Sequence, residues 1–364
     1  LDVSKHIRPG QTNEIAVAVK GTYYAMDAKA IDKNGTLMGM RNRPLTRKDW
    51  TRWVAPMYPS TKGDGDGYQY GIVNPVTLHS VGTVYTEDVF IKPSVENKSL
   101  HTDVTLRNTG STPQTAEIRC EAVCDKLGEV EKSFGPVSVS VPAGAAKTTA
   151  VSGEWQNPRL WWPKPNPDLY RLRTFVSIGG RVIDVSEETF GFREVTIRGT
   201  GVYINGLRRN FWNWVDVHGG FIERPEQWVD LLHEDGSRFM RFSHGRKITS
   251  TLPTREERLA FYDRAGVPGR LCTMIDGMFI TFNLGERTKD DQGNPLLIVN
   301  EPVWENFREH MAQVAKAYRN HPSVIFYQVE NELVYINGMN IYGGYLDKVE
   351  QLMSDVCEAG RAED

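Results

Sequence analysis

The stretch His321-Pro322-Ser323-Val324-Ile325-Phe326-Tyr327-Gln328-Val329-Glu330-Asn331-Glu332 passes from an apolar run, Val324-Ile325-Phe326, into a cluster of polar and acidic residues. A continuous apolar run bounded by a proline reads as a strand buried on both faces. Upstream, Val303, Trp304, Phe307, Met311, Val314, Ala315 and Tyr318 recur at helical spacing, and Asn320-His321-Pro322 ends that helix. Helix, short break, buried strand, then carboxylates at the strand's carboxyl end is the order expected at the working face of a (β/α)8 barrel. Desolvating two acidic groups is costly, so chemistry or ligand binding explains Glu330 and Glu332 better than stability does.

Working outward, strand and helix signals alternate. Residues 209–212 read as a strand, and residues 225–234 as a helix with proline in its first turn and Gly236 beyond its end. Residues 239–242 give a second strand. Thr254 and Glu257 form a capping box for a helix that stops at Gly266-Val267-Pro268. Residues 271–275 give a third strand, a long loop from Asp276 to Pro302 follows, and the quoted stretch is the fourth. Leu346, Val349, Leu352, Met353 and Val356 mark a last helix over residues 345–359. Four such units make half a barrel, whose open edges and apolar face would need covering. That, and a first residue Leu1 with no initiator Met, lead us to expect further polypeptide.

The rest reads as β structure. Before residue 84, Ile15, Val17 and Val19 alternate after the turn signal Pro9-Gly10, and residues 73–78 give another short strand. Trp50 and Trp53 between them read as a loop pinned by aromatic burial. Asp64-Gly65-Asp66-Gly67 shares the start of a calcium loop without the remaining ligand spacing, and reads as a turn. From residue 85 on, strand candidates at 85–91, 102–107, 115–123, 137–141, 169–177 and 182–186 are separated by turn signals, a two-sheet sandwich pattern. The proline-rich segment 158–165 cannot be regular strand and reads as an extended crossover held by Trp161 and Trp162.

Composition sets outer limits. The chain has 364 residues, 40% of them hydrophobic and 24% charged, as in an ordinary globular protein, and its net charge of −3 gives no electrostatic case for nucleic acid or an acidic membrane. No apolar run approaches a membrane-spanning length. The four cysteines Cys120, Cys124, Cys272 and Cys357 form neither a disulfide framework nor a zinc pattern, and read as buried free thiols.

Taken in order, these features resemble glycoside hydrolase family 2, of the β-galactosidase and β-mannosidase-like kind. The resemblance is carried by Leu1 to Val19 with Gly71 to Leu78, by Leu160-Trp161-Trp162-Pro163 with Asp168-Leu169-Tyr170, and by Phe190-Gly191-Phe192-Arg193 with Tyr203-Ile204-Asn205-Gly206. Asn320 to Ile325 followed by Asn331-Glu332 completes it. It implies three domains: the C-terminal part of a sugar-binding-type jelly roll (1–84), an immunoglobulin-like β-sandwich (85–197), and the first four β/α units of a TIM-barrel catalytic domain (198–364). It implies a retaining exo-β-glycosidase that needs no cofactor or metal and hydrolyses terminal galactosides or mannosides of oligosaccharides. Glu332 would be the general acid/base, with Glu330 its rival, and Asn331 would hydrogen-bond the sugar 2-hydroxyl. Arg241 and His244 would follow the second strand. Arg241 would orient the carboxylates, and His244 fits a structural rim position equally well.

Asn213, Trp214 and Asp216, after the first strand, resemble the sugar-contacting segment of the family's mannosidase-like members. Trp214 suits the apolar face of a pyranose, though Trp212 or Trp214 fits an ordinary core as well. Asp276, after the third strand, divides between site residue and loop cap. The family's nucleophile follows the seventh strand and so lies beyond this chain. Gln328 to Glu332 is spelled more like family 35 β-galactosidases, which leaves the substrate open. The rival reading is a non-catalytic carbohydrate-binding protein on the same fold. A periplasmic or secreted location is preferred to a cytoplasmic one, and a homo-oligomer is compatible with everything above.

Overall fold

Seven antiparallel strands between Val84 and Phe190 pack as two sheets face to face. They are β1 (Val84–Ser94), β2 (Ser99–Asn108), β3 (Gln114–Cys124), β4 (Val130–Val141), β5 (Ala146–Glu154), β6 (Tyr170–Ile178) and β7 (Arg181–Phe190). One sheet has the order β1-β2-β5 and the other β4-β3-β6-β7, an immunoglobulin-like sandwich. The computed structural model describes residues 3–17, 76–163, 167–211, 239–242, 255–276, 301–331 and 346–364.

Alternation builds the sandwich core. Leu100, Val104 and Leu106 on β2, Ala116, Ile118 and Cys120 on β3, and Tyr170, Leu172 and Val176 on β6 point inward and are fully buried. Trp155 anchors one end, edge-on to Tyr170 at 4.9 Å and to Phe192 at 5.5 Å. The Tyr170 hydroxyl donates to Glu131 at 2.8 Å and accepts the Arg159 N–H at 2.8 Å, so its polar tip is satisfied. Burial pushes the Cys120 thiol up to about 11, the state of an inert core thiol, and Cys124, four residues further along β3, is likewise buried and unbridged.

Six of the seven strands were expected from alternation. The seventh, β5, was not, because its sequence carries one buried apolar side chain, Val151, among Ala, Lys, Thr, Ser and Gly. Its place is fixed by backbone pairing with β2 along its whole length, and by Gly153, where an added Cβ would stand 2.9 Å from the Phe134 ring. The segment after Trp155 behaves as expected: its described residues make only isolated bridges, Leu160 with Phe192 and Trp161 with Pro167, and Trp161 is fully buried.

Two expectations are corrected. Residues 209–211 do not open a parallel sheet, and Trp212 lies outside the described residues. A small antiparallel sheet follows the sandwich, β8 (Val195–Arg198), β9 (Gly201–Ile204) and β10 (Leu207–Arg209), and Arg209 closes its last hairpin. The turn is Asn205-Gly206, both at positive φ (50° and 78°), the pair that favours a two-residue hairpin. Among the described residues before Val84, no strand forms: residues 3–17 and 76–83 are turn and coil, with Ile15, Val17, Val76 and Leu78 exposed. Alternation becomes a strand only where a partner edge takes its hydrogen bonds.

Beyond this lies an α/β unit. Strands β11 (Met240–Phe242), β12 (Gly269–Asp276) and β13 (Val324–Asn331) form a parallel sheet in that order. Helix α1 (Arg255–Ala265) lies between the first two in sequence, α2 (Glu301–Tyr318) between the next two, and α3 (Leu346–Arg361) follows. Parallel strands require such crossovers. Met240, Leu259, Tyr262, Val267, Leu271, Val314 and Val324 make one buried cluster between sheet and helices. Helix α1 stops at Gly266 (φ 66°), whose left-handed conformation lets the Val267 N–H donate back to Tyr262 at 3.0 Å. No described helix is long and apolar enough to cross a membrane.

Candidate active site

The carboxyl ends of β12 and β13 lie side by side. Cys272 pairs with Gln328, Ile275 with Glu330, and Asp276 with Asn331, with one extra residue of β12 taken up between Cys272 and Ile275. Asp276 and Asn331, two of the positions singled out from sequence, are therefore neighbours at the last rung of the sheet. Arg241 lies within β11 opposite Arg270, level with Phe326 and five residues short of Asn331. Glu332, His244, Asn213, Trp214 and Asp216 lie outside the described residues, as do Trp50, Trp53 and the Asp64 to Gly67 turn.

One face of this sheet is defined by aromatic rings. Phe326 of β13 is edge-on to Phe211 at 6.1 Å and to Phe239 at 6.0 Å, and the last two are 4.9 Å apart. The opposite face is set by Tyr327, which packs against the helix-side cluster and donates its hydroxyl hydrogen to Asp364 at 2.8 Å. Burial and then the Asp364 carboxylate hold that phenol protonated, above its ordinary range.

At the amino end of β13 the chain is fastened on every side. His321 is almost fully buried; its Nδ1 donates to Asp263 of α1 at 2.6 Å and its Nε2 to Glu256 at 3.1 Å. The other Asp263 oxygen accepts the Ser323 N–H at 2.9 Å, and its carbonyl accepts the Trp161 indole N–H at 2.9 Å. Burial alone would depress the His321 imidazolium, but the bonds to Asp263 and Glu256 reverse this and push it up to about 10. Asn320 reaches into the sandwich, accepting the Ile91 N–H at 3.0 Å and donating to the Val89 carbonyl at 2.8 Å. Arg319 pairs with Asp88 of β1 at 2.5 Å, donates to the Glu363 carbonyl at 2.7 Å, and lies 3.9 Å from the centre of the Phe90 ring.

Sequence reasoning missed this junction. Asn320 and His321 were read as the end of a helix and as part of the motif opening the fourth strand, and Asp263 and Arg193 received no role beyond their segments. The available signal was three consecutive polar residues, Arg319-Asn320-His321, between an apolar helix and an apolar strand.

Comparison with known proteins bears on what this scaffold is. The profile of glycosyl hydrolases family 2 matches residues 84–193, the seven-strand sandwich and the Phe192-Arg193 exit from it. The chain is 26% identical over 225 residues to a β-glucuronidase of Streptococcus agalactiae serotype V, covering 57% of this chain and 35% of that protein. It is 26% identical over 211 residues to a β-galactosidase of Aeromonas hydrophila, covering 56% of this chain and 19% of the other. The solved structure of Bacteroides uniformis β-glucuronidase superimposes with a TM-score of 0.59 at 17% identity, over 78% of this chain and 34% of that one, a likeness of fold. The chain thus spans about a third of the length of these β-glucuronidases. The sandwich topology and the profile that matches it agree: residues 84–193 are similar to the sandwich domain of glycosyl hydrolases family 2.

Proposed function

We propose that this chain carries the acid/base side of a retaining exo-β-glycosidase, with β-glucuronides ahead of β-galactosides as substrates. The observation that carries the reading is the register of β12 and β13, which ends on the pair Asp276 and Asn331, directly before Glu332. In a parallel α/β sheet, ligands gather at the carboxyl ends of the strands. The three parallel strands and their helices fit the opening units of a (β/α)8 barrel, with the sandwich at 85–197 and the segment before it as accessory domains.

The residue roles follow from counting along strands. Phe326 faces Phe211 and Phe239, and steps of two from Phe326 lead to Gln328, Glu330 and Glu332, not to Asn331. Glu332 is proposed as the group that protonates the leaving oxygen and then deprotonates the attacking water. Asn331 is proposed to bond the sugar 2-hydroxyl, which requires the strand to end or bulge there. Arg241, in β11 level with Phe326, is proposed to orient the carboxylates. Asn213, Trp214, Asp216 and His244 are proposed to line the sugar pocket. Substrates of galactoside or mannoside type were the expectation; the β-glucuronidases among the relatives move glucuronides to the front.

The complete protein assayed on 4-nitrophenyl β-D-glucuronide, galactoside and mannoside tests this. A site that pairs the substrate carboxylate rejects analogues lacking it, so kcat/KM for the glucuronide should lead by about 100-fold or more. A galactoside or mannoside in the lead overturns the sugar assignment. Sugar binding with no turnover of any of the three supports a non-catalytic protein instead.

A further inference from the structure

We propose that Arg193 is a positioning residue for the acid/base: from the sandwich, it fixes the amino end of β13 and thereby sets where that strand delivers Asn331 and Glu332. The inference rests on the proposed glycosidase reading. Arg193 is the last residue of Phe190-Gly191-Phe192-Arg193, where the chain leaves β7. Its Nε donates to the Pro322 carbonyl at 2.7 Å, and one terminal nitrogen donates to the Val324 carbonyl at 2.6 Å and, at 3.5 Å, to that of His321. All three acceptors are backbone carbonyls of the segment that starts β13. Burial holds the guanidinium below its ordinary range, so the group is desolvated, which is costly unless its hydrogen bonds are needed.

The guanidinium does not act alone. Gly191 lets the sandwich close on this segment: an added Cβ would stand 2.7 Å from Pro322 Cβ and 2.7 Å from Trp161 Cβ. The Ser323 carbonyl accepts the Gly269 N–H at 2.8 Å, tying the same turn to β12. Three neighbours, sandwich, α1 and β12, thus hold residues 320–324, and Arg193 supplies donors to the Pro322 and Val324 carbonyls. Val324 to Asn331 is one continuous strand rising about 3.3 Å per residue, so we expect a displacement at its base to shift its end. A displacement of about 1 Å at a reacting group can cost on the order of 100-fold in rate.

A group that only stabilises the fold would lower activity on all substrates alike or leave it unchanged. A group that positions the acid affects most the substrates that need an acid. In the complete protein, Arg193→Ala should lower kcat/KM for a phenyl glycoside by about 100-fold, and for the 2,4-dinitrophenyl glycoside, whose leaving group needs little protonation, by less than about 10-fold. Millimolar guanidinium should restore part of the phenyl glycoside rate, and Arg193→Lys, which keeps one charged donor, should fall between. If Arg193→Ala does not fold, the same contrast in Arg193→Lys decides. Equal losses on both substrates, or no loss, with no guanidinium rescue, overturn the proposal. Glu332→Gln measured alongside separates the two readings: if it too lacks the leaving-group contrast, the acid/base assignment fails first. If it shows the contrast and the Arg193 variants do not, the positioning role alone fails.

Discussion

Glu332→Gln is expected to slow hydrolysis of phenyl and alkyl β-glycosides by roughly 10² to 10⁴-fold, the range for losing a general acid, and to slow 2,4-dinitrophenyl glycosides far less in the first step. The physical reason is the leaving group. A phenoxide or alkoxide leaves a sugar only as it takes up a proton, whereas dinitrophenolate leaves as a stable anion. With an activated substrate the second step then limits, because no base remains to deprotonate water. Azide, an anion that needs no deprotonation, should attack the glycosyl-enzyme in place of water, raise the rate and leave a β-glycosyl azide. The measurement is kcat and kcat/KM for both substrates with and without azide. Equal losses, with no azide product, point to Glu330 or to another residue as the acid.

Asp263→Asn is expected to destabilise the protein by about 3 kcal/mol, the lower end for removing one partner from a buried ion pair. Asp263 is almost fully buried and serves four groups: its carboxylate accepts from His321 and Ser323, its carbonyl from the Trp161 indole and the Gly266 N–H. The variant leaves the His321 imidazolium with Glu256, which is largely exposed and screened by solvent, so little compensation remains. A pH dependence should accompany the loss. The folded value for His321, about 10, lies above the usual unfolded value of about 6.5, so the stabilisation is fully present below pH 6.5 and is lost as pH rises through 10. Urea unfolding at pH 6, 8 and 10 should show the parent protein losing stability along this series. His321→Gln should start lower and stay flat over the same range. A parent whose stability does not change between pH 6 and 10 contradicts a charged His321.

Much of the fold was legible because period and burial coincide in it. Strands β1 to β4, β6 and β7 announced themselves by alternation, and α2 and α3 by apolar residues at helical spacing that are in fact buried, Trp304, Phe307 and Met311 on one, Val349, Leu352 and Val356 on the other. Strand β5 was not legible, since a strand held by backbone pairing on one side needs few apolar residues. The run at 209–212 misled because the apolar residues Phe211 and Trp212 outweighed the Asn205-Gly206 turn just before them, and local turn chemistry decided where Arg209 went. Before residue 84 the alternation at Ile15 and Val17 forms no strand among the described residues, while residues 18–75, which hold most of the rest of that expectation, lie outside them. At the site, motif and register converge on the end of β13, where Asn331 and Asp276 meet. The junction escaped because its hydrogen bonds join residues up to 231 positions apart, Asn320 to Val89 and Arg319 to Asp88, and no local pattern encodes such pairs.

In the proposed retaining mechanism a carboxyl group after β13 acts first as acid and then as base. The most direct measurement is the configuration of the first sugar released, followed by proton NMR immediately after the complete protein is mixed with an aryl β-glucuronide, or with whichever β-glycoside it hydrolyses best. A double displacement through a glycosyl-enzyme, with carboxyl groups about 5 Å apart, predicts the β-anomer first and the α-anomer only later, by mutarotation. The α-anomer as first product means a single displacement by water between more widely spaced carboxyl groups, and would contradict the role assigned here to Glu332.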